Sequence, residues 1–359
     1  MIIKPHVVVM QTDSRLQLIR DWLANDLELG PLRLEPASAD ASFRRYFRVF
    51  VDDRSLVVMD APPDKEDLAA YLTVSNLLAG CNVHVPAVEA TDLPRGLALL
   101  EDLGSTHYLT RLEAGFEPGS LYSEALDALA AIQLRGAEAA KQLAPYDRAA
   151  LAREMALMPE WFCGRHLQFT PDAGEQQMLG STFDWLIDEA LAQPQVFVHR
   201  DYHSRNLMVL AQHGPGVIDF QDALRGPVGY DLVSLLKDCY VSWPRARVED
   251  WVAEYRAMLQ KRGGTARGLG GGSPAEFLRW FDLIGLQRHI KVLGIFARLF
   301  WRDGKAGYLN DLPRTLEYVR DTARRFPQLA DFSSFVERRL APQLYAATLR
   351  ARGNAGVSA

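Results

Sequence analysis

The spacing of apolar and polar positions over the first hundred residues predicts a small antiparallel sheet with helices beside it. Apolar residues recur at helical spacing after Ser14, and from residue 32 onward the period changes to that of strands. A tight polar connection at 52–54 makes a hairpin of two strands, and Pro62 and Pro63 end the second strand. The predicted elements are a helix over 15–27, strands over 34–36, 43–51 and 56–59, a helix over 64–78, and strands over 83–90 and 96–100.

After a break at 101–104 the pattern becomes mostly helical, with one β-like island. Runs at 196–198 and 217–220 are short and apolar, and each is flanked by a polar loop. A sheet-rich segment followed by a helical one predicts an α+β fold with two lobes, a small one over 10–104 and a larger one over 105–350. Residues 1–9 look detached from the rest of the chain, so the first lobe is expected to start near Met10. The predicted helices lie at about 120–140, 147–159, 176–192, 229–240, 247–261, 275–302, 312–325 and 331–349.

Composition then excludes several classes of partner. The chain has 359 residues, which exceeds the usual size of one domain, and its net charge of −5 gives no general attraction to nucleic acid or anionic lipid. Three cysteines lie far apart and match no metal or redox spacing, so buried thiols are expected. No apolar stretch approaches the roughly 20 residues that span a bilayer, and the N-terminal apolar run is too short for a secretory signal. We therefore expect a cytoplasmic protein with no nucleic-acid, membrane or protein partner.

The polar island carries the candidate chemistry. It reads HRDYHSRN over 199–206, and thirteen residues after Asn206 comes Asp219, followed by a phenylalanine. This order and spacing are those of the catalytic and metal-binding segments of kinases, in which phosphoryl transfer depends on positioning and on neutralising phosphate charge. The pattern predicts Asp201 as the base that accepts the proton of an attacking hydroxyl. It predicts Asn206 and Asp219 as Mg²⁺ ligands, and His199 as a brace for the loop.

These segments resemble the aminoglycoside phosphotransferase/choline kinase superfamily. The match to protein kinases proper is weaker, because Gln221 follows the phenylalanine and no Ala-Pro-Glu segment follows downstream. Three further stretches are similar to the anomeric sugar kinases that phosphorylate N-acetylmuramate and N-acetylglucosamine in bacterial cell-wall recycling: DASFRRYFRV (40–49), VVMDAPPDKED (57–67) and LLEDLG (99–104). The resemblance covers about residues 12–345. It implies a protein-kinase-like bilobal fold, ATP and Mg²⁺ as cofactors, and an amino sugar that is phosphorylated at its anomeric hydroxyl.

The resemblance also implies roles for particular residues. The stretch from Asp40 to Tyr46 takes the place of the loop that covers the nucleotide, and 101–103 falls at the hinge, where backbone groups pair with adenine. Asp231 falls where an aspartate braces the catalytic loop, although it could be no more than a carboxylate at a helix N-terminus. Asp222 is open between supporting the metal, facing the substrate and lying in a solvated turn. The nucleotide-binding residues implied are Ser42, Phe43, Arg44, Arg45, Glu101, Asp102 and Leu103.

Two departures from the kinase pattern concern the phosphates of the nucleotide. The covering loop has no glycine, and the strand that should carry a phosphate-binding lysine reads VVMD over 57–60. Some cation must still offset the phosphate charge. Arg44 and Arg45 are the nearest candidates, because adjacent residues of a strand point to opposite faces and one of them should face the nucleotide. Lys65 is the second choice, and a solvated arginine pair is the alternative.

The acceptor is expected near the helix over 277–302. Its apolar stripe is continuous, the opposite face is basic, and basic residues outnumber acidic ones between 279 and 325. A polycationic acceptor would require the reverse, so a neutral or anionic one fits better. The expected substrate contacts are His203, Asp222, Arg288, Lys291 and Arg302, with a merely solvated basic face as the alternative.

Two other functions stay open on the sequence. One is a kinase of another small alcohol, such as choline, homoserine or an aminoglycoside; choline would call for an aromatic cage with nearby acids. The other is a catalytically inactive kinase fold that binds nucleotide as a regulatory module. The missing strand lysine is the only support for this second alternative, and the retention of Asp201, Asn206 and Asp219 argues against it.

Overall fold

The computed structural model describes residues 13–39, 43–211 and 214–356. The expectations for Ser42 and for a start near Met10 lie outside these residues. The chain divides into two compact units. The first contains the described residues up to Thr73 together with Pro86–Ser105, and the second contains Val74–Val85 and the chain from Thr106 onward.

The first unit is a five-stranded antiparallel sheet with helices. Its strands follow the order β1-β2-β3-β5-β4. Helix α1 begins after Asp13, whose carboxylate accepts a hydrogen bond from the Leu16 N–H at 3.0 Å and caps the helix. Ile19 of this helix and Leu23 of the π-helical segment Trp22–Asp26 that follows it are fully buried against the sheet. The elements of this part of the chain are α1 Ser14–Asp21, β1 Leu32–Ala39, β2 Arg45–Val51, β3 Arg54–Asp60, α2 Leu68–Ala79, β4 Val88–Asp92 and β5 Leu97–Glu101. The residues of α2 are divided between the two units after Thr73.

Two predicted boundaries of this region were wrong. Helix α2 begins at Leu68 and not at residue 64, because the Asp67 carboxylate accepts a hydrogen bond from the Ala70 N–H at 3.0 Å and acts as a helix cap. The strand predicted from residue 83 begins only at Val88. Pro86 precedes it, and a proline has no N–H to contribute to a strand ladder.

The second unit is mainly helical and includes two short antiparallel β pairings. Strand β6 pairs with β9, and β7 pairs with β8. The elements are α3 Tyr108–Glu113, α4 Pro118–Arg135, α5 Arg148–Met155, α6 Ala173–Leu191, β6 Gln195–Val198, β7 Leu207–Val209, β8 Pro215–Val217, β9 Leu224–Pro227, α7 Tyr230–Leu236, α8 Arg245–Lys261, α9 Pro274–Asp303, α10 Leu312–Ala323, α11 Ala330–Phe335 and α12 Ala341–Gly356.

Helix α9 is the centre of this unit. It packs against α6, α7, α10 and the π-helical segment Met158–Leu167, so it is covered on more than its apolar stripe. As a result Gln287, Arg288 and Lys291 are buried although a polar face normally points to solvent. The alternative of a solvated basic face is therefore wrong for Arg288 and Lys291.

The predicted α+β class, with an antiparallel sheet first and helices after it, is confirmed. The three cysteines are free and buried, as expected. Among the described helices, none combines the length and the apolar character that crossing a membrane requires.

Candidate active site

The two β pairings of the second unit bring the candidate catalytic segments together. The loop at 199–206 connects β6 to β7, and Asp219 lies between β8 and β9. Because β7 and β8 are paired, the Ile218 N–H donates to the Asn206 carbonyl at 3.1 Å. The end of the first segment is thus hydrogen-bonded to the start of the second.

Buried carboxylates hold the loop from below. Asp231, in the first turn of α7, accepts hydrogen bonds from the N–H groups of His199 at 2.7 Å and Arg200 at 3.0 Å. Asp238 accepts from the N–H of Ser204 at 3.0 Å and from its hydroxyl. Burial raises the pKa of Asp231 to about 7, although the two hydrogen bonds from backbone N–H groups favour the ionised form and act to lower the pKa.

His199 supports the loop from within. It is fully buried, and its Nδ1 lies 3.2 Å from the Asp201 N–H, so Nδ1 accepts and Nε2 donates to the Ile218 carbonyl at 3.1 Å. Burial lowers the pKa of His199 to about 4, so the ring is neutral at physiological pH. These contacts are those of a bracing residue.

Two backbone conformations at the site are costly. Arg200 has φ 78° and Asp219 has φ 62°, in the left-handed region that residues other than glycine seldom adopt. Each such residue costs on the order of 1–3 kcal/mol and keeps this conformation only where surrounding contacts hold it in place. The bond from the Arg200 N–H to Asp231 is one contact that does so. Such strain is typical of functional sites.

Asp201, Asn206 and Asp219 converge through the Asn206 amide. Its Nδ2 donates to the backbone carbonyl of Asp201 at 3.0 Å and to the carboxylate oxygen Oδ2 of Asp219 at 3.3 Å. Because the nitrogen makes both bonds, the amide oxygen is the atom suited to bind a cation. Gln221 Nε2 donates to Asp219 Oδ1 at 2.9 Å and orients the carboxylate further.

A hard cation such as Mg²⁺ fits this donor set. One carboxylate and one amide oxygen are ligands that Mg²⁺ accepts, and it commonly takes its other ligands from phosphate and water. Asn206 and Asp219 together offer two such oxygens, which suits a metal that takes its remaining ligands from a phosphorylated compound and water.

The surroundings of Asp201 keep it ionised. Burial acts to raise the pKa of Asp201, but its electrostatic interactions, above all with the positive charge of Lys291, outweigh it, and the pKa is lowered from its ordinary value. Arg288 and Arg200 act in the same direction. A carboxylate ionised at neutral pH is able to accept a proton.

A buried cluster next to the loop was missed by the sequence reasoning. Glu154 of α5 makes an ion pair with Arg200, accepts from the Tyr146 hydroxyl, and lies 3.2 Å from Lys291 Nζ. Lys291 also donates to the Tyr230 hydroxyl at 3.0 Å. The one signal in the sequence was an acidic residue on the face of α5 that carries buried Leu151 and Met155.

The five expected substrate contacts have different surroundings. His203 is buried with its ring 5.3 Å from that of Tyr240, whereas Asp222 and Arg302 are exposed. Arg302 binds Asp303 at 2.7 Å. Lys291 belongs to the cluster around Glu154, and Arg288 is buried beside Cys239.

In the first unit, the two candidate phosphate-binding arginines are in different positions. Arg44 is buried, with Nε 3.7 Å from a carboxylate oxygen of Glu66. Arg45 instead binds the fully buried Asp60 at 2.7 Å and also Asp13. Phe43 is 66% exposed, and its N–H donates to Glu66 at 3.0 Å.

The implied hinge, 101–103, begins at the last residue of β5. The Glu101 N–H donates to the Ala87 carbonyl at 2.8 Å, and the Glu101 carboxylate accepts from the Ala87 N–H at 3.1 Å. Arg48 binds the Asp102 carboxylate at 2.6 and 3.0 Å, and Leu103 is half-buried. The Asp102 carboxylate is therefore engaged with a side chain of β2.

Comparison with known proteins gives the class. Residues 33–270 match the model of the phosphotransferase enzyme family, and the chain belongs to that family. An N-acetylmuramate/N-acetylglucosamine kinase of Pseudomonas aeruginosa is 46% identical, over 91% of this chain and 97% of the relative. One of the same name from Pseudomonas putida is 45% identical, over 90% and 96%.

Solved structures agree on the fold. An ethanolamine kinase of Plasmodium vivax has a TM-score of 0.62 at 10% identity, covering 87% of this chain and 91% of its own. The kinase-like fold and the superfamily predicted from the sequence are confirmed. The protein is a phosphotransferase, and membership in this family implies ATP as the phosphoryl donor.

Proposed function

We propose that this protein is an ATP- and Mg²⁺-dependent kinase that phosphorylates the anomeric hydroxyl of N-acetylmuramate, N-acetylglucosamine or both. The observation that carries the proposal is the convergence of Asp201, Asn206 and Asp219 through the Asn206 amide. The names of the relatives at 43–46% identity support the choice of acceptor. Peptidoglycan recycling in the cytoplasm is the process that such a reaction would serve.

The residues would divide the work of phosphoryl transfer. The oxygen of the acceptor hydroxyl forms a bond to the γ-phosphorus while the bond between that phosphorus and ADP breaks, and Asp201 takes the proton of the hydroxyl. Asn206 and Asp219 would hold Mg²⁺, which when bound neutralises phosphate charge. Asp231 and His199 keep the loop in place through their hydrogen bonds to its backbone.

The anomeric position suits this base. The ring oxygen withdraws charge from the anomeric carbon, so its hydroxyl is more acidic than the others of the sugar. Less proton affinity is then required of Asp201, whose pKa is already lowered. The product is a sugar 1-phosphate without reducing power.

A panel of acceptors tests the proposal. The protein is incubated with ATP and Mg²⁺ and with N-acetylmuramate, N-acetylglucosamine, choline, homoserine or an aminoglycoside, and ADP release is measured. We expect release with the N-acetylated sugars, together with loss of their reducing end. Turnover of choline, homoserine or the aminoglycoside alone would favour the other kinase function. Nucleotide binding without turnover of any acceptor would favour the inactive module.

Within this function, we propose that Arg44 replaces the missing strand lysine. Kinases pair that lysine with a glutamate of the following helix, and here Glu66, two residues before α2, lies 3.7 Å from Arg44. Arg45 has a structural set of partners instead, namely Asp13 and Asp60.

We expect Arg44→Ala to raise the KM for ATP and to lower kcat, by about 10- to 100-fold in kcat/KM, the effect of one charge-assisted hydrogen bond. Arg45→Ala should have the smaller kinetic effect and lower the melting temperature, because it leaves Asp60 with one arginine fewer. Steady-state kinetics at varied ATP and thermal unfolding separate the two. Wild-type kinetics in both variants would transfer the role to Lys65 or to a cation of the second unit.

A further inference from the structure

Arg288 of α9 is a buried cation without a strong partner. The residue is only 4% exposed to solvent. In the described part of the chain, its hydrogen bonding amounts to a contact of 3.8 Å from Nη1 to Cys239 Sγ, and its Nε has no partner. No carboxylate among the described residues lies within ion-pair distance of it. A buried charge is costly unless it is paired and hydrogen-bonded.

The guanidinium cannot avoid this cost by losing its proton. Lys237, which is also buried, differs in this respect. Burial lowers its pKa to about 8, so its ammonium group loses a proton more readily than an exposed lysine does. An arginine stays protonated under all ordinary conditions. Burial acts to lower the pKa of Arg288, but its surroundings, which include Asp201 and Asp238, raise it. A persistent positive charge is therefore built into the interior of the second unit.

Arg288 lies beside the catalytic loop. The residue it contacts, Cys239, directly follows Asp238, which accepts hydrogen bonds from Ser204 in the loop. The positive charge of Arg288 acts to lower the pKa of both Asp201 and His203. The cation is thus within electrostatic reach of the group that would meet the acceptor hydroxyl.

The other basic residues of α9 that were expected to contact substrate are engaged elsewhere. Lys291 is bonded to Glu154 and Tyr230. Arg302, near the end of the helix, is exposed and bonded to Asp303. Arg288 alone of these three is buried and has free donor capacity in the described structure.

We propose that Arg288 binds the carboxylate of a carboxylate-bearing amino sugar and so determines preference among acceptors. The inference rests on the proposed function. N-acetylmuramate differs from N-acetylglucosamine by a lactyl ether that carries one carboxylate, so a single guanidinium near the reacting group is enough to distinguish them. A charge-assisted hydrogen bond of this kind corresponds to roughly a 10- to 100-fold difference in kcat/KM.

The test compares three acceptors with three forms of the full chain. The acceptors are N-acetylmuramate, its carboxamide, which keeps the shape but removes the charge, and N-acetylglucosamine. The protein forms are wild type, Arg288→Met and the control Arg298→Met, which removes a cation from the same helix. We expect wild type and the control to prefer the acid over the amide by 10- to 100-fold. Arg288→Met should lose that preference, and its loss of kcat/KM should be larger for N-acetylmuramate than for the carboxamide or for N-acetylglucosamine.

Each other outcome is decisive. If wild type treats the acid and the amide alike, the inference is overturned whether or not the variant folds. Equal losses on all three acceptors in Arg288→Met, with the acid preference retained, would assign the residue to the transferred phosphoryl group or to Asp201. Should that variant unfold, Arg288→Lys, which keeps the charge, is expected to retain part of the preference. Failure of wild type to phosphorylate any sugar would remove the proposed function itself.

Discussion

Asp201→Asn is expected to lower kcat by about 10²–10⁴-fold, the usual contribution of a general base. The amide keeps the shape of the carboxylate but cannot take the proton of the acceptor hydroxyl. Binding of ATP with Mg²⁺ should survive, because Asn206 and Asp219 would hold the metal, and the Asn206 amide bonds to the backbone carbonyl of residue 201, which the substitution leaves in place.

Single-turnover kinetics and calorimetric titration with nucleotide measure the two effects separately. Asp184→Asn is the matched control, because it makes the same chemical change at an exposed position of α6. Near-normal kcat in Asp201→Asn would show that another group is the base. Loss of nucleotide binding together with activity would show that Asp201 holds the metal and not only the acceptor.

The second large effect is expected at the metal ligands. Asp219→Ala should lower kcat/KM by on the order of 100-fold or more and raise the Mg²⁺ concentration needed for half-maximal activity. Asn206→Ala should do the same to a smaller degree. A carboxylate contributes charge as well as an oxygen to a hard cation, whereas an amide contributes only the oxygen.

The backbone at Asp219 calls for a further variant. With φ 62°, the position suits aspartate and asparagine better than alanine, so Asp219→Ala adds backbone strain to the loss of charge. Asp219→Asn isolates the charge, and we expect it to keep the fold while losing most activity. Titration with Mg²⁺ provides the measurement, and activity that persists in EDTA would contradict the metal-dependent mechanism.

The candidate chemistry was accessible from the sequence because it is local. Asp201 and Asn206 are five residues apart in one loop, and Asp219 follows within the same short β region. A spacing this short can be recognised from the sequence without knowing how the rest of the chain folds. The class of fold followed in the same way, since the change from strand to helix period occurs along the chain.

Element boundaries were less accessible. The acidic run at 64–67 predicts a helix start, but only one of these residues, Asp67, caps α2. In the structure the N–H groups of Lys65 and Glu66 donate to the Pro62 carbonyl, so this part of the run forms a turn and the helix begins after it.

Long-range partners and burial depended on the tertiary structure. Glu154 joins Arg200 and Lys291, which come from distant parts of the chain, and nothing near Glu154 in the sequence specifies those partners. The cation expected to replace the missing strand lysine is a similar case. The sequence makes Arg44 and Arg45 equal candidates, and only the structure distinguishes them, by pairing Arg44 with Glu66 and Arg45 with Asp60.

Helix α9 shows the same division within one element. Its sequence determined the helix, its apolar stripe and the presence of basic residues on the other face. Whether that face meets solvent depended on α6, α7 and α10, which pack around it and bury Arg288 and Lys291. Periodicity describes a helix against one apolar neighbour, whereas the environment of a charge is set by every element that surrounds it.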